Sequence, residues 1–384
     1  MTRRELMAGS LGAVALAQRP VKPNVVFILV DDLGIGDLSC YGQKMFSTPN
    51  IDALAAAGTR FSSAYAGSTV CAPSRCALMT GYHTGHSRIR GNGANEDVLR
   101  KEDVVIPELL KGAGYRTGMF GKWALGRLGK PGYPTKKGWD EWFGFFSQVQ
   151  AHMYYPQALH HNDELFELKG NTGTRKQDYA PDVIHEQAMQ WLDSQKAGTP
   201  FFMYYTSVIP HTNNELGRDT GNGQEVPEDA PFGAKPWPQV EKNFAAMVSR
   251  LDRQVGAIVA KLKEKGLYEN TLIVFTSDNG AHQEGGHKFD FFDSNGPLNG
   301  IKRSLTEGGI RVPAIVVWAN QIPAGKVNDT PWAFWDVMPT LASLAGTTAP
   351  KGIDGMNVMD VWRGKSTATQ PYYYWEFHEG GFTR

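Results

Sequence analysis

Residues 71–81, Cys-Ala-Pro-Ser-Arg-Cys-Ala-Leu-Met-Thr-Gly, set a thiol, a proline and an arginine where together they can handle an anion. Pro73 suits the first position of a helix, where its missing N–H removes nothing. The spacing predicts a short helix over 74–80, closed by Gly81. Cys71 then stands just ahead of a helix N-terminus, whose free amides and dipole favour negative charge. Arg75, one turn on, adds a permanent cation. A nucleophile aimed at an anionic substrate belongs in such a place.

Two acidic pairs end apolar runs. Asp31-Asp32 follows the run 24–30, and Asp278-Asn279 follows the run 271–276. Strands of an open α/β sheet deliver the residues after them to the sheet's carboxyl edge, where ligands bind. Three carboxylates and an amide oxygen meeting there repel one another unless a cation intervenes. An all-oxygen set suits a hard ion, calcium ahead of magnesium. His211, in Ile209-Pro210-His211, follows the run 200–205 and so reaches the same edge as a candidate acid or base.

Cys71, Pro73, Ser74 and Arg75, with Leu78, Thr80 and Gly81, resemble the signature of the type I, formylglycine-dependent sulfatases, arylsulfatase-like members of the alkaline phosphatase superfamily. Segments 114–126 and 300–313 resemble two further family segments, and the likeness runs from Asn24 to about Phe382. The resemblance implies that a formylglycine-generating enzyme oxidises Cys71 to an aldehyde. The hydrated aldehyde, a geminal diol, attacks the sulfur of a sugar or aryl sulfate monoester, and its second hydroxyl later expels sulfate. The implied calcium ligands are Asp31, Asp32, Asp278, Asn279 and the diol at position 71. Arg75, Lys122 and Lys302 are the implied cations on sulfate. His211, assisted by Lys302, faces the leaving oxygen, and Asp278 serves as base for the attacking hydroxyl.

One position departs from the pattern. Ala124 stands where the family commonly has a histidine that helps release sulfate, and His86 is a candidate replacement. His282 and His287, near the metal segment, are candidate substrate contacts. The loop carrying His152, Met153, Tyr154, Tyr155, His160 and His161 suits stacking on sugar rings. Two rival readings stand beside the sulfatase: a phosphonate or phosphate monoester hydrolase on the same scaffold, and a non-catalytic binder of sulfated glycans.

The elements that must position these residues are readable in outline. Buried strands are expected at 24–30, 115–120, 200–205, 271–276 and 314–318, and helices at 51–57, 106–112, 181–194, 244–262 and 332–345. The helix at 244–262 is the clearest, with apolar residues at i, i+3 and i+4 spacing from Phe244 to Leu262. Such alternation gives an α/β fold, a mostly parallel mixed sheet sandwiched between helices. The stretches 123–178 and 211–240 read as long active-site loops. Residues 371–377 read as a strand with an unpaired edge, the start of a truncated C-terminal antiparallel subdomain. The division expected is an export signal over 1–17, a catalytic domain over 23–365 and that subdomain over 366–384.

The chain's 384 residues carry 39 basic and 39 acidic side chains. Zero net charge gives no sign of nucleic-acid binding, so anion recognition has to be local. No apolar run approaches the roughly 18 residues of a membrane span. Thr2-Arg3-Arg4, a short apolar stretch and Ala15-Leu16-Ala17 have the plan of a twin-arginine export signal, implying a periplasmic or secreted bacterial protein with a mature N-terminus near Gln18. There are three cysteines; with Cys71 converted, Cys40 and Cys76 are left to pair or to stay as thiols.

Overall fold

The computed structural model describes residues 22–92, 98–379 and 382–383. The export signal expected over 1–17 lies outside them. In chain order the first strands are β1 (Asn24–Val30), β2 (Thr59–Tyr65), β3 (Arg116–Lys122), β4 (Glu141–Phe145), β5 (Ala158–His161) and β6 (Glu164–Glu167). They are followed by β7 (Phe201–Thr206), β8 (Thr271–Ser277), β9 (Arg311–Val317), β10 (Lys326–Asn328), β11 (Trp332–Ala333), β12 (His378–Glu379) and β13 (Phe382–Thr383). The helices are α1 (Pro49–Ala57), α2 (Cys71–Thr80), α3 (Ile106–Gly112), α4 (Ala180–Ser194), α5 (Asn214–Thr220), α6 (Gln239–Glu264), α7 (Glu307–Ile310), α8 (Val337–Leu344) and α9 (Met359–Trp362).

β1 is buried along its whole length, as an unbroken β-branched run between two neighbours must be. It pairs in parallel with β7 on one side and β8 on the other. The sheet order is β10-β2-β9-β8-β1-β7-β3-β4-β5-β6, with β11 added beside β2. The centre, β8-β1-β7-β3-β4, is parallel throughout, while β9, β5 and β6 run antiparallel to their neighbours. Successive β1 side chains point to opposite faces. Val26, Ile28 and Val30 pack with α4 and α6, and Val25, Phe27 and Leu29 pack with α2, α3 and α8. Register then fixes the carboxyl edge. Val30 lies opposite Ser277, which puts Asp31 beside Asp278, and Gly121 lies opposite Thr206 on β7, which puts Lys122 at the same edge two strands from Asp31.

Several expectations are corrected. α2 begins at Cys71 itself, with Val70 as the extended residue before it, so Pro73 is the third helical residue rather than the first. The stretch 123–178 is not all loop, since it holds β4, β5 and β6. The last long helix starts at Val337; Trp332–Ala333 is instead a strand paired with β2. Residues 371–377 form no strand. Tyr373 and Trp375 turn inward onto Trp335 and Tyr65, the Trp375 indole donates to Ala66 O at 2.9 Å, and Glu376 N donates to Thr84 Oγ1. Side-chain packing on the core outweighs strand pairing there. The edge expected at 371–377 is replaced by the short hairpin β12–β13. All three cysteines are free thiols.

Candidate active site

α2 follows β2 after the link 66–70, and all ten of its residues are buried. Cys71 Sγ lies 3.3 Å from Asp31 Oδ1. Arg75, one turn along, spans the site: Nε and Nη2 donate to Asp278 Oδ2 at 3.0 and 2.8 Å, and Nη1 donates to Lys122 O at 2.8 Å and to the Thr206 hydroxyl. Asp31 Oδ2 is 3.6 Å from Arg75 Nη2 and 2.7 Å from Lys122 Nζ.

A second group adjoins the first. Lys302 Nζ donates to Asp32 Oδ2 at 2.7 Å, to Glu284 Oε2 at 3.2 Å and to His211 Nε2 at 3.3 Å. Asp32 N donates to Asp278 Oδ1 at 3.2 Å, and Asn279 Nδ2 donates to Asp32 Oδ1 at 2.7 Å. Asp32 adopts a left-handed φ of 64°, which an aspartate tolerates better than most residues. That turn aims its carboxylate back toward Asn279. His211 Nδ1 is 2.6 Å from Thr212 O, so Nδ1 carries the ring proton and Nε2 is the acceptor for Lys302.

The donor set fits a hard cation. Asp31, Asp32 and Asp278 supply carboxylates, all fully buried, and the buried Asn279 Oδ1 has no hydrogen-bond partner among the described residues. A buried amide oxygen left open beside three carboxylates is what an oxygen-binding ion would satisfy.

Electrostatics sort the groups into roles. Burial pushes the Asp278 carboxyl up to about 7, with the neighbouring Asp31 charge adding to the effect. For Asp31 burial acts in the same direction, but Lys122, His211 and Arg75 outweigh it and hold the group well below the usual carboxylate range. Asp32 is likewise held down, against burial, chiefly by Lys302. Burial, then the Asp31 charge, drives the Cys71 thiol well above its ordinary value, so the unmodified side chain is a neutral, weak nucleophile. Burial lowers His211 to about 3, which makes it a neutral imidazole at neutral pH.

The candidate residues Cys71, Arg75, Lys122, His211, Lys302, Asp31, Asp32, Asp278 and Asn279 therefore meet in one buried nest. Of the remaining candidates, some lie away from the nest and others border it. His86 stacks on His83 and faces Asp354 Oδ1 at 2.8 Å, in the turn that follows α2. His287 is tied to Glu241 Oε2 at 2.6 Å and stacked on Phe244, a packing role. His160 stacks on Trp142 and His161 faces Glu141 on the sheet's outer strands. His282 does belong to the site, its ring 6.4 Å from that of His211. His152 stacks on His211 at 4.9 Å between centroids, and the Tyr154 hydroxyl donates to His211 O. Glu284 escaped the sequence reading. It sits in Gln283-Glu284-Gly285-Gly286, where its only signal is its nearness to Asp278-Asn279.

This arrangement has relatives. The sulfatase family profile matches residues 23–347. N-acetylgalactosamine-6-sulfatase of Canis lupus familiaris is 31% identical over 402 residues, spanning 96% of this chain and 71% of that protein. Arylsulfatase A of Homo sapiens is 31% identical over 403 residues, spanning 97% and 73%. Among solved structures, Ps i-CgsB in complex with k-i-k-neocarrahexaose superposes with a TM-score of 0.79 at 32% identity, covering 94% of this chain and 81% of that one. A phosphonate monoester hydrolase of Agrobacterium radiobacter, at 21% identity and a TM-score of 0.65, shares the fold alone. The chain belongs to the sulfatase family, a class of sulfuric ester hydrolases. Among the described residues no helix is long and apolar enough to cross a membrane.

Proposed function

We propose that this protein hydrolyses sulfate monoesters of saccharides, with the oxidised side chain of residue 71 as nucleophile and calcium as the metal, and that it acts after export from the cell. The observation that carries the reading is the nest itself: Cys71 lies against Asp31, with Arg75, Lys122 and Lys302 fully or nearly buried around it. Their charges are matched here by Asp31, Asp32, Asp278 and Glu284, and a cation taken up by the aspartates would leave Arg75, Lys122 and Lys302 available to an anionic ester. The neutral thiol supports an oxidised form, because a hydrated aldehyde at position 71 offers a hydroxyl where the thiol offers a poor nucleophile. An ion held by Asp31, Asp32, Asp278 and Asn279 would supply positive charge beside that hydroxyl and the sulfate.

The protein's own groups do the rest. Arg75 and Lys122 hold the sulfate end, and Asp278, which Arg75 fixes at the end of β8, acts as base for the attacking hydroxyl. A sugar oxygen leaves poorly as an alkoxide, so a proton must reach it as the S–O bond breaks. His211, assisted by Lys302, is the candidate source of that proton, with Lys302 Nζ 3.3 Å from His211 Nε2 and His211 Nδ1 anchored on Thr212 O.

The test has two readouts. Protein from a host with a formylglycine-generating enzyme should yield a residue-71 peptide lighter by about 18 Da than the thiol form, and should release sulfate from a sugar sulfate. It should release phosphate far more slowly from the phosphate monoester of the same alcohol. Faster phosphate release would favour the phosphohydrolase reading, and glycan binding without any release the non-catalytic one.

A further inference from the structure

An ammonium has three protons to donate, and Lys302 commits all of them. Nζ lies 2.7 Å from Asp32 Oδ2, 3.2 Å from Glu284 Oε2 and 3.3 Å from His211 Nε2. Asp32 follows β1 and His211 follows β7, so the sheet itself places two of these acceptors. Glu284 has no such support, because it stands in the long connection between β8 and α7. Its position has to be set by contacts of its own.

Those contacts are present. Arg303 Nη1 donates to Glu284 Oε1, and Asn214 Nδ2 donates to Oε2 at 3.2 Å. The Glu284 amide donates to His282 Nδ1 at 3.2 Å. Gly285, with a left-handed φ of 62°, lies so close to the His211 loop that a Cβ there would be 1.8 Å from Thr212 Oγ1. Burial works to raise the Glu284 carboxyl, but Lys302 and its other charged neighbours hold it well below the usual range, so it is a full anion. Lys302 and Arg303, adjacent in sequence, thus grip the two oxygens of one carboxylate. They can do so because Arg303 adopts a left-handed φ of 73°. Such strain persists only where its surroundings impose it, and it gathers at functional sites. Here Lys302 N donates to Ala281 O at 2.8 Å and Arg303 N to Thr69 O at 3.0 Å. From the other side, Glu379 of β12 accepts from Arg303 Nε at 2.9 Å.

We infer that Glu284 and Arg303 are positioning residues for Lys302: the guanidinium fixes the carboxylate, and the carboxylate holds the ammonium against His211, where the leaving oxygen takes its proton. Neither residue has to touch the substrate. The inference rests on the sulfatase reading above. It is tested with the converted full-length protein and its variants, measuring sulfate release from galactose 6-sulfate and 4-nitrophenyl sulfate. Glu284→Gln should lower kcat on the sugar ester by about tenfold or more, the scale of one charge-assisted hydrogen bond, with KM little moved. The loss on the aryl ester, whose oxygen leaves readily, should be clearly smaller. Arg303→Gly suits the left-handed turn and spares the backbone, and should shift the ratio of the two rates the same way by a lesser amount. That ratio, taken within one preparation, controls for loss of folded protein. In a Lys302→Met background, Glu284→Gln should cost nothing further on the sugar ester, since a residue acting through Lys302 loses its effect with it. Equal losses on both esters, or a second full loss on top of Lys302→Met, overturns the inference alone. No release from galactose 6-sulfate by the parent protein overturns the saccharide sulfatase reading and this inference with it.

Discussion

Arg75 grips Asp278 through two nitrogens on a single oxygen, Nε at 3.0 Å and Nη2 at 2.8 Å from Oδ2, with both side chains wholly buried. The pair ties the second turn of α2 to the end of β8. Removing one partner of a buried pair strands the other charge, which typically destabilises by about 3–5 kcal/mol. Arg75→Ala should lose that much in urea unfolding and also lose sulfate turnover. Arg75→Lys should recover part of the stability, since a point charge cannot reproduce the two-nitrogen contact. A loss under about 1 kcal/mol in Arg75→Ala would show that water replaces the guanidinium.

Lys302 and His211 should matter in proportion to how badly the leaving group needs a proton. 4-Nitrophenolate leaves readily without one, and a sugar alkoxide does not. Lys302→Met and His211→Asn should therefore lose about 10²–10⁴-fold in kcat on a sugar sulfate, and clearly less on 4-nitrophenyl sulfate. Equal losses on both esters would place the two residues on sulfate rather than on the bridging oxygen.

Metal removal should be visible without any assay of turnover. An ion bound only by the folded state stabilises it by about 2.7 kcal/mol at a hundredfold excess over its Kd. Chelation should lower the unfolding midpoint and calcium should restore it, with magnesium less effective because it demands a tighter octahedral shell. Asp32→Asn should abolish the calcium shift. A midpoint indifferent to calcium in the native protein would remove Asp31, Asp32, Asp278 and Asn279 from the role of ligands.

Acid should loosen the fold through a histidine remote from the site. Burial lowers the His185 imidazole to about 4, while its ordinary value is about 6.5. Between those values the unfolded chain takes up a proton that the folded one refuses. Its contribution to stability is thus complete above pH about 6.5 and is lost as pH falls toward 4. His185→Gln should shrink the stability difference between pH about 7.5 and 4.5 by on the order of 2 kcal/mol, read by urea unfolding. An unchanged slope would mean that the imidazole ionises within the fold.

Much of this site was legible because its residues sit at the ends of elements that advertise themselves. β1 is apolar at all but its first position and β8 has the unbroken apolar run 272–275, the mark of strands buried on both faces, and their register brings Asp31 and Asp278 together. β2 was hidden by its mixed polarity and an irregularity between Phe61 and Ala64, and β6 by being exposed at all four residues on the sheet edge. The aromatic run near Trp375 misled because β-propensity reports a fit to packed surfaces, and here that surface is Trp335 and Tyr65 rather than a neighbouring strand. Glu284 lies in a segment without a motif, and beyond its nearness to Asp278-Asn279 only the contact with Lys302 gives it meaning. The same limit applies to His86, close to Cys71 in sequence yet carried away by the length of α2.

Position 71 is 1% exposed, and every other residue of its helix is also sealed in. On the proposed reading, a maturation enzyme can reach the thiol only while the chain is still open. Folding is then a deadline, and each molecule that misses it is a sound, stable but inert copy. Specific activity would report the outcome of that race, so slower translation or a longer-lived unfolded state should raise it with no change in the folded protein.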